Sequence, residues 1–191
     1  MVADRLSHLI PLLLALLLTG IPTASSSEPT IPGAARVQLL ADAAYFPVLL
    51  DKIRTAGKSI DLVMYLWKIS AAPGSKSSEL IRALGEARRR GIGIRVILEN
   101  SGYDEELNRA NRETAERLAQ EGIIAFFDAA GVTTHAKLAV IDQRFCLIGS
   151  HNLTQSALGR NREISIILDA PQLAGELGRY VDSLLGDANP L

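Results

Sequence analysis

Between residues 37 and 185 the chain alternates short apolar runs with longer stretches whose apolar residues recur at helical spacing. No other feature limits the available folds as strongly. Residues 37–40 read as a first strand. Asp42 stands where a cap would start a helix reaching about Ala56, with Pro47 early enough to be tolerated. Residues 59–67 suit a buried strand, with Asp61 as the polar exception. A Pro/Gly/Ser loop over 71–78 leads into a helix over 79–90, ended by Gly91. Residues 92–98 are strand, 104–120 a polar amphipathic helix closed by Gly122, 123–127 strand and 128–134 loop. Residues 135–141 and 145–149 are strands joined by a tight Asp142-Gln143-Arg144 connection; 163–168 is a last strand and 171–185 a closing helix. This order predicts an α/β chain: an α/β/α sandwich around a mixed, largely parallel sheet, with an antiparallel part near the end. No internal repeat is visible.

The first residues have a different character. Residues 9–21 are rich in leucine, preceded by Arg5 and followed by Ala24-Ser25-Ser26-Ser27. A weakly positive start, a short apolar core and small residues after it are the pattern of a signal peptide. The run falls short of the roughly 20 residues of a spanning helix, and Pro11 and Pro22 bracket it. The expected organisation is therefore a signal segment over 1–27, a linker over 28–34 and a single domain over 35–187. The product would be secreted or periplasmic; the alternative is a membrane anchor in residues 9–21. Lys+Arg 20 against Asp+Glu 21 leaves a net charge of −1, so any attraction for a polyanion must be local. Cys146 is the only cysteine, which excludes an internal disulfide and a cysteine-based zinc site. It sits in an apolar run and is expected to be an inert core thiol.

The chemistry concentrates in His135-Ala136-Lys137-Leu138-Ala139-Val140-Ile141-Asp142. Side chains alternate along a strand, so His135 and Lys137 share a face. A nucleophile beside a positive charge suits a phosphate anion. Asp142 is expected to fix the strand end or turn. Next comes Gly149-Ser150-His151-Asn152. Gly149 would admit close approach of a ligand, while Ser150 and Asn152 would donate to phosphate oxygens. His151 alternates against them and should face away. Glu163, opening the next strand, could bond Nδ1 of His135 and leave Nε2 free to attack. Arg160 and Arg162 flank that strand and could steer phosphates. Arg88, Arg89 and Arg90 suit a solvated helix end. Tyr65 and Trp67 are expected in the core.

The spacing His-x-Lys-x4-Asp, then Gly-Ser-x-Asn, then an Asn-x-Glu strand resembles the signature of the phospholipase D superfamily. The likeness extends over about residues 35–185 and looks closest to the short, single-motif, secreted bacterial nuclease branch. It implies attack by one histidine to give a phosphohistidine, with a second histidine as acid and base. It also implies catalysis by His135, Lys137, Asn152 and Glu163, supported by Gly149, Ser150 and Asp142, and no metal or other cofactor. One motif per chain implies a homodimer with a shared active site. The implied substrate is nucleic acid, the alternative a phospholipid phosphodiester such as a phosphatidyl or cardiolipin head group; a non-catalytic phosphate-binding module is the third reading.

Overall fold

The computed structural model describes residues 36–129 and 131–190; the expected signal segment 1–27 and linker 28–34 lie outside them. Strand β1 (Arg36–Ala41) is followed by a short 3-10 turn (Asp42–Ala44) and helix α1 (Tyr45–Thr55). Then come β2 (Ser59–Met64), α2 (Lys76–Arg89), β3 (Gly93–Leu98), α3 (Glu105–Gln120) and β4 (Ala125–Phe127). The remainder is β5 (Lys137–Ile141), β6 (Phe145–Gly149), β7 (Ile164–Asp169), α4 (Pro171–Asp187) and a short β8 (Asn189–Pro190). The sheet runs β1-β7-β6-β5-β2-β3-β4-β8.

The sheet is mixed, but its parallel share is smaller than expected. Only β2–β3 and β3–β4 pair parallel; β1–β7, β7–β6, β6–β5, β5–β2 and β4–β8 are antiparallel. The reason is connectivity. Parallel neighbours need a crossover, usually a helix, and only α2 and α3 supply one here. The links from β4 through β7 carry no helix.

Alternation along the strands builds two cores. Leu62, Met64, Val96, Leu98, Ala139, Ile141 and Leu147 face Leu49, Ile53, Leu80, Leu84 and Leu118 of α1, α2 and α3. Val63, Ile97, Leu138, Val140, Cys146 and Leu168 face Ala174 and Val181 of α4. Helices thus cover both sides, which is why β2 and β5 are buried almost throughout. Cys146 is a free thiol within the second core, and burial pushes its pKa up to about 11.

Local chemistry sets the helix ends. Ser75 caps α2 by accepting the Ser78 N–H, so this helix starts earlier than residue 79; Gly91 follows it at φ 87. Asp104 caps α3 through the Leu107 N–H. Asp42 does not cap α1. It sits at φ 52, and its carboxylate instead accepts the Glu163 N–H and pairs with Arg162. The three arginines ending α2 tie helices together. Arg90 donates to Ile53 and Ala56 at the end of α1, while Arg88 and Arg89 reach Gly122 and Glu121 beyond α3.

Candidate active site

Strands β2, β3, β4 and β6 end, and β5 and β7 begin, at one edge of the sandwich. The crevice outside the carboxyl ends of parallel strands is where open α/β sheets bind ligands. His135 lies here, two residues ahead of β5 rather than inside it. The ladder continues locally, since the Tyr65 N–H donates to Ala136 O at 2.9 Å. Lys137 is 7% exposed. Its Nζ lies 3.0 Å from Nδ1 and 3.1 Å from Nε2 of His135, and donates to His135 O at 2.8 Å. Tyr65 closes the group, its ring 4.4 Å from the imidazole and 4.7 Å from Nζ. Burial pulls the Lys137 pKa down, and the charge of Glu163 partly restores it.

On the neighbouring strands the expected partners meet one another. Register places Ser150 beside Ile164: the Ser150 N–H donates to Ile164 O at 3.0 Å, and the Ile164 N–H donates to Ser150 Oγ at 3.1 Å. The Ser150 hydroxyl donates to Oε2 of Glu163, and Asn161 Nδ2 donates to Oε1 at 3.1 Å. Glu163 therefore does not bond His135 Nδ1 as expected; both its oxygens are engaged, and that nitrogen faces Lys137. The Ser150 hydroxyl is likewise engaged by Glu163. Gly149 has a different reason from ligand approach: a Cβ there would lie 2.2 Å from Ser165 Oγ and 2.4 Å from Ile164 O. The constraint comes from β7. Asn152 is half-buried, and its Oδ1 is buried with no hydrogen-bond partner.

His151 points away from this group. It is fully buried, stacks on Tyr45 at 4.3 Å, and contacts Ser165 Oγ through Nδ1 and Asp42 O through Nε2. The carbonyl accepts only, so Nε2 carries a proton, and in the neutral ring Nδ1 accepts from Ser165. Asp142 lies at the opposite end of β5, about 16 Å of strand from Lys137. Its carboxylate accepts the N–H groups of Gly57, Lys58 and Ser59. Burial pushes this carboxyl up, but those donors and the Lys58 charge outweigh it and hold the pKa below the usual range. Trp67 is fully buried and bridges to Leu153. Arg160 reaches Ser156, and Arg162 pairs with Asp42 from solvent.

Residues 49–185 match the family model described as cardiolipin synthase, PLD-like domain. The chain belongs to this phospholipase D-like family. A cardiolipin synthase A of Buchnera aphidicola subsp. Acyrthosiphon pisum is 24% identical over 152 residues, 75% of this chain and 28% of the relative. The chain thus spans about a quarter of the length of such curated synthases. A phospholipase D of Rickettsia bellii is 27% identical over 126 residues, 66% of this chain and 56% of the relative. Among solved structures, the phospholipase D family member Nuc of Salmonella typhimurium superposes with a TM-score of 0.69 at 23% identity. It covers 82% of this chain and 98% of its own.

The PLD-like domain also holds site-supporting residues that the sequence reading missed. Asn111, fully buried on α3, donates to Tyr65 O and Glu99 O and accepts the Trp67 N–H. Asn108 bonds both backbone groups of Ser101, and Thr114 donates to Trp67 O. The signal was present: Asn108, Asn111 and Thr114 recur every three residues within the stripe of Leu107, Ala110, Ala115 and Leu118. Glu99 and Asp128 are buried at the ends of β3 and β4 and both bond Thr134, the residue before His135. Burial pushes the Glu99 carboxyl up; the Thr134 N–H opposes this and the Asp128 charge adds to it.

Proposed function

We propose that this PLD-like domain is a phosphodiesterase that works without a metal ion and cleaves nucleic-acid phosphodiesters through a phosphohistidine. The observation that carries the reading is the contact of the buried Lys137 Nζ with the exposed ring of His135. A neutral imidazole has one accepting nitrogen, so the ammonium and an incoming phosphate compete for that region. When a phosphodiester enters, Lys137 shifts its hydrogen bonds onto a non-bridging oxygen, and the freed Nε2 lone pair attacks phosphorus. The P–N bond forms as the P–O bond to the leaving group breaks. A second imidazole protonates the departing oxygen, then takes a proton from the water that attacks phosphorus and breaks the P–N bond. Lys137 and the Asn152 amide hold the charge that develops on the phosphoryl oxygens.

His151 is committed to Ser165 and Asp42, so the second imidazole is His135 of a second copy. An exposed apolar strip favours docking of that copy beside the site. Val37 and Leu39 are 59% and 62% exposed, and Ile164, next to Glu163, is 64% exposed. The pairs Val37–Leu168, Leu39–Ile166 and Ala41–Ile164 put all three on one side of β1 and β7.

A phospholipid substrate is the second reading. It is favoured by the names of the curated relatives and by Tyr103 and Val132, 75% and 79% exposed on loops at the His135 end of the sheet. One experiment separates the readings: purified protein is incubated with plasmid DNA, with RNA and with phosphatidylglycerol or cardiolipin vesicles, each with excess EDTA. Cleavage of nucleic acid in EDTA, with the vesicles intact, is expected. Lipid turnover alone would replace the first substrate class by the second. Activity that disappears in EDTA and returns with a divalent metal would contradict the mechanism.

A further inference from the structure

Strand pairing does not fix His135, because β5 begins only at Lys137. Downstream, Ala136 O is held by the Tyr65 N–H. Upstream, the imidazole depends on Thr134, and Thr134 is held at two atoms. Glu99 Oε2 accepts its N–H at 2.6 Å, and Asp128 Oδ2 accepts its hydroxyl. Glu99 is 1% exposed and Asp128 6% exposed. Among the described residues no ion pair reaches either. A buried carboxyl without a cationic partner is costly to a fold, and such groups concentrate where they serve a site. The backbone of Glu99 is itself fixed, by Met64 O through its N–H and by Asn111 through its carbonyl. The carboxylate is therefore a rigid acceptor facing one backbone donor.

We propose that Glu99 is a positioning residue that sets the His135 imidazole by holding the Thr134 N–H, with Asp128 steadying Thr134 through its hydroxyl. The inference rests on the phosphodiesterase reading for its kinetic consequence, but not for its geometric one. Glutamine keeps an oxygen that can accept the Thr134 N–H; alanine does not. Wild type, Glu99→Gln and Glu99→Ala are compared as full chains on bis(p-nitrophenyl) phosphate. The His135 Cε1–H resonance is followed by NMR without substrate. Glu99→Ala should lower kcat by about 10–100-fold, the usual scale for a supporting partner, with KM within about threefold and the resonance displaced. Glu99→Gln should restore both. If Glu99→Ala fails to fold, Glu99→Asp, one methylene shorter, withdraws the oxygen from Thr134 and is read in the same way. A folded Ala or Asp variant with unchanged kcat, or an unmoved imidazole resonance in either, would overturn the proposal. A wild type with no turnover would refute the phosphodiesterase reading instead, and the resonance alone would then decide the positioning role.

Discussion

The chain has two histidines in its described residues, and their surroundings separate their roles. His135 meets an ammonium and an aromatic face at the edge of the sheet. His151 is enclosed, with both ring nitrogens used. His135→Ala should lower phosphodiesterase turnover by at least about 10³-fold while leaving the melting temperature nearly unchanged. His151→Ala should behave oppositely. It strands Asp42 O and Ser165 and should cost about 1–3 kcal/mol of stability, with activity of the folded fraction within about tenfold. Equal losses of activity in the two folded variants would mean that the assignment of faces is wrong. At this scale strand parity made the His135–Lys137 pairing and the turning away of His151 legible. The Glu163–Ser150 pairing was not, because it depends on the register between β6 and β7, and pattern within a single strand carries no register.

Among the elements, β3 and β6 fall within a residue of where apolar runs and turn residues put them, whereas β2 ends three residues earlier and α2 starts three residues earlier than expected. The failures also have local causes. Asp42 has the chemistry of a cap, but the chain uses it in a left-handed turn whose carboxylate reaches β7. The pattern marked α3 only as polar and amphipathic and assigned no task to its polar residues; Asn108, Asn111 and Thr114 clamp the loops after β2 and β3. Such clamps are invisible until the partner backbones are placed. Asp142 gives a test of an element junction. Its pKa is held below the ordinary 3.8, so its stabilisation is complete above that value and is lost as pH falls through the lower, folded one. Asp142→Asn should lower the melting temperature by about 5 °C at pH 7. The gap between variant and parent should narrow below pH 3.8. A gap that stays constant through acid would show that the charge of Asp142 does not hold the junction.

Over the described residues, two helical layers enclose one sheet, and nearly all candidate chemistry lies at one edge of it. The exception, Asp142, ties the opposite edge. The three-layer architecture was readable from alternation alone. The direction of the strands was not, because a link without a helix leaves the sense of the next strand open. The account stands or falls on a bond between phosphorus and His135. The decisive measurement is rapid acid-free quenching of the protein during turnover of a phosphodiester labelled at phosphorus, with EDTA present throughout, followed by peptide mapping. The predicted result is label on the peptide containing His135, stable in base and lost in acid as a phosphoramidate should be. The label should be absent from His135→Ala and chased by water in the unlabelled step. Sustained turnover with no label on His135 under conditions that preserve phosphohistidine, or label on another residue, would contradict the account.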